Sequence, residues 1–266
     1  MFLGLSTYTF PWAIGMSGNT RLAALQLLEY AAKNNIAYVQ FGDNLPLHGL
    51  SKPDLEQIKL SANKKGIILE TGTRRLTVKN LEKYIGIANY LGSAFLRMVI
   101  DDTGYHPSTE DVLKIIKKEL PSLKKNNIQL AIENHDRFPA AEIKKIILKT
   151  DPQWVGVCLD TANSLGAGEG MNEVLQILAP YTVNLHVKDI LIKRLPHKMG
   201  FTIEGVAAGD GMIDIPAIIK QLKPTRRCKT ATLEVWSNPA VTMEETIAKE
   251  KKLVQRSIHY LKKIIV

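Results

Sequence analysis

Gln129-Leu130-Ala131-Ile132-Glu133-Asn134-His135 starts as a buried strand and ends in residues of metal-ligand type. Three later apolar runs stop the same way: Gly156-Val157-Cys158-Leu159-Asp160, Val183-Asn184-Leu185-His186 and Ala231-Thr232-Leu233-Glu234. Short apolar runs without alternation read as strands buried on both faces, which is the pattern of a parallel sheet covered by helices. Each run closes on a carboxylate or an imidazole. The expectation is that Glu133, Asp160, His186 and Glu234 meet around one divalent metal ion.

Outward from this stretch the chain alternates strand and helix. The expected strands are Leu3–Tyr8, Tyr38–Phe41, Ile67–Thr71, Phe95–Ile100, Gln129–Glu133, Val155–Asp160, Thr182–Lys188 and Lys229–Glu234. Helical spacing of apolar residues marks Arg21–Asn34, Asp54–Lys64, Val78–Leu91, Ala140–Lys149, Met171–Ala179, Ile215–Leu222 and Met243–Ile264. A further helix starts at Ser108-Thr109-Glu110-Asp111, acidic where the helix dipole is positive, and Pro121 should kink or break it. The longest connection follows strand seven. Eight strand-then-helix units predict a (β/α)8 TIM barrel, and no composition break marks a second domain within residues 1–266. An open doubly wound sheet would show a Gly-rich first turn, and Ser6-Thr7-Tyr8-Thr9-Phe10-Pro11-Trp12 has none.

Composition narrows the function classes. No stretch stays apolar for the roughly 18 residues that a membrane span requires. No basic segment precedes the mildly apolar start, so it reads as mature protein, not a secretory signal. Cys158 and Cys228 fall inside expected strands and read as reduced core thiols, which points to a cytoplasmic protein. The net charge of +9 invites a nucleic-acid reading. The lysine pairs are spread over many helices, however, and form no single tract, so a small-molecule substrate is expected and nucleic acid is not.

In a barrel of this type the carboxyl ends of the strands form the active face. Three carboxylates and one imidazole make an oxygen-rich site suited to manganese foremost, with magnesium, cobalt or zinc also compatible. Ile132-Glu133-Asn134-His135, Leu159-Asp160-Thr161-Ala162-Asn163, His186-Val187-Lys188-Asp189 and Leu233-Glu234 occur in that order, with a Gly209-Asp210-Gly211 turn between the last two. On these motifs the chain resembles, over essentially its whole length, the xylose isomerase-like TIM barrels. That superfamily holds sugar isomerases and epimerases together with endonuclease IV. The resemblance implies that Glu133, Asp160, His186 and Glu234 bind the metal, and that Glu133 and Glu234 also move protons. The implied reaction is isomerisation or epimerisation of a sugar or keto-sugar through a metal-stabilised enediolate. A lyase or dehydratase acting on a keto-acid or oxidised sugar uses the same frame. Similar proteins are commonly homo-oligomers, although nothing in the sequence fixes an interface.

The nuclease reading fails on ligands. A trinuclear zinc cluster needs several more histidines than this chain's His48, His106, His135, His186, His197 and His259 supply. Where many relatives carry a histidine after strand six, this chain has Asn163. Residues two apart on a strand share a face, which brings His135 and Lys188 towards the site, with Trp236 beside Glu234. Tyr8 and Trp12 are expected as aromatic walls against the substrate, and Lys193 and Arg194 as contacts from the long loop. Arg97 interrupts an apolar strand and needs a partner, for which Glu133 is available. Glu70, at the end of strand three, is also expected to face the mouth, with Arg74 nearby, and neither is assigned a role.

Overall fold

The computed structural model describes residues 1–265. Eight parallel strands close into a barrel: β1 (Phe2–Ser6), β2 (Tyr38–Phe41), β3 (Ile68–Arg74), β4 (Phe95–Val99), β5 (Gln129–Glu133), β6 (Val155–Asp160), β7 (Thr182–Val187) and β10 (Thr230–Leu233). Between β7 and β10 lies an antiparallel pair, β8 (Asp189–Arg194) and β9 (Phe201–Val206). The helices are α1 (Pro11–Gly15), α2 (Thr20–Lys33), α3 (Lys52–Lys64), α4 (Val78–Leu91), α5 (Thr109–Lys125), α6 (Ala140–Lys149), α7 (Met171–Leu178), α8 (Ile215–Leu222) and α9 (Met243–Ile264). No helix among the described residues is long and apolar enough to cross a membrane.

Local chemistry sets most of these limits. Asn19, Ser51, Thr77, Ser108, Asp214 and Thr242 each accept a backbone N–H in the first turn of the helix that follows, filling donors that would otherwise be unpaired. Gly92 ends α4 with φ of 77°, a left-handed conformation that costs glycine little. Pro121 does not break α5, which runs unbroken through it. Both Pro121 and Lys117, whose carbonyl loses its partner, lie on the exposed face, where water replaces the missing hydrogen bond. Strand one stops at Ser6, two residues short of Tyr8, because the Ser6 hydroxyl caps the 3-10 turn Thr7–Thr9.

Apolar side chains of the strands meet the helices in one continuous core that includes Leu5, Val39, Leu69, Leu96, Leu130, Leu159, Leu185 and Leu233. The barrel interior is different. Phe95, Ala131, Cys158 and Val183 form a separate small apolar cluster. Beside it run buried hydrogen bonds among Gln40, Glu70, Asn184, Thr230 and Thr232. Such groups are tolerated inside because each finds a partner.

The β8–β9 hairpin was not foreseen. It is pinned where Gly205 passes over Trp236. A Cβ on residue 205 would lie 2.2 Å from the Trp236 carbonyl oxygen. Gly205→Ala is therefore expected to push the hairpin away and to cost about 1–3 kcal/mol. Chemical denaturation and the emission of Trp236 would check this; unchanged midpoint and emission would show that the contact is slack.

Candidate active site

Glu133 and Asp160 are the last residues of β5 and β6, His186 is the penultimate residue of β7, and Glu234 directly follows β10. The β6–β7 register sets Asp160 opposite His186. All four side chains are buried. Imidazole Nδ1 of His186 lies 3.3 Å from Glu133 Oε2, 3.3 Å from Glu234 Oε1 and 3.8 Å from Asp160 Oδ2. The three carboxylates singled out by their strand ends thus gather around His186 Nδ1.

That nitrogen is the informative atom. The other ring nitrogen, Nε2, is 2.7 Å from Gln40 Oε1. The Gln40 amide nitrogen is directed at Glu70 and Asn184, so its oxygen is the acceptor and His186 Nε2 carries the proton. Nδ1 then faces three carboxylates, is buried, and has no hydrogen-bond partner. An unpartnered imidazole nitrogen among carboxylate oxygens is completed by a cation. Asp160, His186 and Glu234 each offer one ligand atom within 4.8 Å of the others, and so do Glu133, Cys158 and His186. Burial pushes the Cys158 thiol far up, and it donates to Asn184 Oδ1, so the oxygen-rich set fits a metal better than a thiolate set.

The carboxylates are tightly held. Glu133 meets the Arg97 guanidinium at Oε2 and accepts from Asn163 Nδ2 at 2.8 Å. Glu234 accepts from Ser6 Oγ at 2.9 Å and lies 3.0 Å from Lys188 Nζ. The Lys188 ammonium also sits 2.5 Å from Asp160 Oδ2 and 3.3 Å from Asn163 Oδ1. Burial alone would raise both glutamates, but the nearby cations outweigh it. Arg97 leads in holding Glu133 below the ordinary range, and Lys188 with Arg97 holds Glu234 below it as well. Burial opposes the charge on Lys188, yet Asp160 and Glu234 bind its proton more firmly than usual.

Above this floor opens a cavity of about 680 Å³. Tyr8, Trp12, Arg97, Glu133, His135, Asn163, Lys188 and Glu234 all line it, as does Trp236. Tyr8 donates its hydroxyl to Asp43 at 2.8 Å, and the Trp12 indole donates to the Ser237 carbonyl at 2.7 Å. His135, half-buried, lies 2.9 Å from Asp136. The loop cations are a correction. Arg194 lies outside the cavity, because the hairpin carries its end away from the barrel mouth. There its guanidinium donates to the Lys198 carbonyl and stacks on Phe201. Lys193 is exposed and pairs with Glu204.

Three participants escaped the sequence reading. Asp43 joins Tyr8 to Arg97, 2.5 Å from the guanidinium. Gln40 orients His186, and Ser6 donates to Glu234. A polar residue inside a short apolar strand, as Gln40 is, was the available signal for an inward polar contact.

Beneath Gln40, Glu70 accepts from Thr230 Oγ1 at 2.9 Å, and burial still pushes its carboxyl up to about 7. The native state thus keeps a proton that the unfolded chain has already released. Stability from this group is lost as pH rises from about 4.5 to about 7, a penalty on the order of 3 kcal/mol that persists above. Glu70→Gln is expected to remove that penalty. Its melting temperature relative to wild type should rise across this window; a constant difference would refute it.

A closed parallel barrel with an acid–imidazole cluster at its carboxyl face has the build of a TIM-barrel enzyme. A family model for xylose isomerase-like TIM barrels matches residues 28–264, and the chain belongs to that family. It is 30% identical over 261 residues to 3-oxo-isoapionate decarboxylase of Pectobacterium atrosepticum, an alignment covering 98% of this chain and 95% of that one. The D-psicose 3-epimerase of Clostridium cellulolyticum, solved with D-tagatose, superposes with a TM-score of 0.73 at 16% identity, covering 99% and 98% of the two chains. A xylose isomerase-like TIM barrel protein of Mycobacterium smegmatis, in complex with magnesium, gives 0.68 at 13% identity over 91% and 90%.

Proposed function

We propose that this protein is a divalent-metal-dependent lyase that decarboxylates a 3-oxo sugar acid. The observation that carries the reading is Lys188, a buried ammonium on the cavity floor between Asp160 and Glu234. Epimerisation needs two groups that exchange one proton, one of them basic enough to take it from carbon. Glu133 and Glu234 are both held ionised by neighbouring cations, which makes each a weak base. Decarboxylation asks for less. The bond between the carboxylate carbon and its neighbour breaks, carbon dioxide leaves, and the electron pair moves into the ketone to give an enolate. One proton must then reach carbon. The Lys188 ammonium supports this step: it faces the cavity, and an enolate carbon is far more basic than an amine, so the transfer runs downhill.

Glu133, Asp160, His186 and Glu234 would hold the metal, which when bound would supply Lewis-acid stabilisation of the developing oxyanion. Three carboxylates and one nitrogen favour manganese, with magnesium, cobalt or zinc compatible. Arg97 keeps Glu133 ionised and oriented for that role; Lys188 keeps Glu234 ionised, and Ser6 orients it. Trp12, Tyr8 and Trp236 supply aromatic walls to the cavity. The likeness to the 3-oxo-isoapionate decarboxylase over 98% of this chain supports the substrate class. The sequence alone ranked sugar isomerisation or epimerisation first; the ion pairs on both glutamates and this relative support the lyase reading instead.

The test is an assay of a 3-oxo pentonic acid with manganese, following carbon dioxide, together with ketoses in deuterated water, following proton exchange at carbon. Carbon dioxide release without ketose exchange is expected. Exchange and epimerisation of a ketose without carbon dioxide release would return the function to epimerisation. Metal analysis of the purified protein should find about one divalent ion per chain.

A further inference from the structure

A second cavity of about 420 Å³ adjoins the first and shares Asp43 and Arg74 with it. Its lining carries Arg74, Arg75, Lys79 and Lys83 against Asp43 and Asp102, two cations in excess. The excess is larger in effect, because Asp43 is already engaged by Arg97 at 2.5 Å and by the Tyr8 hydroxyl at 2.8 Å. Asp102 is divided between Arg74 at 3.4 Å and Arg75 at 3.7 Å. Lys79 and Lys83 have no ion pair among the described residues. They stand one helical turn apart on α4, a like-charge pair that costs a helix stability. Lys79 is also in the first turn, where the helix dipole disfavours a cation. Other helices put acids there, such as Asp54 in α3 and Glu110 and Asp111 in α5.

We propose that this cavity is an anion subsite for a phosphate-type dianion, next to the catalytic cavity and distinct from it. Two free ammonium groups and two guanidinium groups around one hollow match the charge and the several acceptor oxygens of such a group. His48 adds a ring that burial and Lys83 keep neutral, so its nitrogen can hydrogen-bond without adding charge. The inference does not depend on the decarboxylase reading, since it concerns none of the residues assigned to that chemistry.

The test is calorimetric titration of the metal-loaded protein with inorganic phosphate and, separately, with ribose 5-phosphate. Both should bind, and Lys79→Ala/Lys83→Ala should weaken both at least about tenfold. Both side chains are exposed, so the variant should fold normally. Lys79→Arg/Lys83→Arg should restore binding, and Glu133→Gln, which removes a proposed metal ligand, should leave the binding of inorganic phosphate intact. Tighter binding of the sugar phosphate would assign the group to a ligand that spans both cavities; equal binding would assign it to a free anion. Absence of binding, or equal affinity of wild type and the alanine variant, would overturn the proposal.

Discussion

Lys188→Met is expected to lower decarboxylation by about 10²- to 10⁴-fold, the usual contribution of a positioned general acid, while divalent-ion affinity stays level or rises. The two readouts move oppositely because Lys188 has two neighbours of different kinds. Towards the cavity it holds a proton; towards the barrel it lies 2.5 Å from Asp160 and 3.0 Å from Glu234. Methionine keeps most of the length and apolar stem but removes the charge. The carboxylates then lose a competing cation, and the metal gains from the added negative potential. In a two-glutamate epimerase the same change would act the other way. It would release Glu234, let its carboxyl rise towards the ordinary range, and speed proton exchange with solvent. Rates of carbon dioxide release and of ketose proton exchange, measured on the same variant with metal binding by titration, separate the two. A variant that keeps full decarboxylase activity would remove Lys188 from the mechanism.

How far this site could be read from the chain depends on which side of the barrel wall a residue faces. The parallel strands were legible because both their faces are buried, so they appear as apolar runs, and the four ligands were legible because each closes such a run. Two-residue parity carried Lys188 and Trp236 to the cavity, although neither belongs to a barrel strand. Parity gave nothing for Asp43, which sits in a turn after β2 where aspartates are common for local reasons. Its use depends on Arg97 and Tyr8, more than thirty residues away in each direction. Arg97 was legible as a charge in need of a partner with Glu133 available on the next strand, and it takes that partner; its second partner, Asp43, lies in a loop that strand register does not reach. The hairpin was missed although Phe201–Val206 alternates, because its partner Asp189–Arg194 does not, and that omission moved Arg194 to the mouth in the sequence reading. Antiparallel pairing of Arg194 with Phe201 instead fixes it at the hairpin's far end.

His186→Phe is expected to abolish the stabilisation that manganese gives the fold, and with it activity. A site whose ion binds only the native state stabilises by about 4 kcal/mol at a thousandfold excess of free ion over Kd. For a chain of this size that is a rise of roughly 10 °C in Tm. Phenylalanine fills the imidazole's place but offers no lone pair to an ion, and it leaves Glu133, Asp160 and Glu234 facing one another. It also strips Gln40 Oε1 of its donor, which costs about 1–3 kcal/mol in a buried position. The variant should therefore melt lower than wild type and show no shift on adding manganese, whereas Lys188→Met should show a shift as large as wild type or larger. An unchanged manganese shift in His186→Phe would place the ion elsewhere on the molecule and end the assignment of these four residues. A lost shift with retained carbon dioxide release would keep the binding site and detach it from catalysis. The decarboxylase reading requires the remaining combination, in which one substitution removes the ion and the other removes the proton donor while leaving the ion bound.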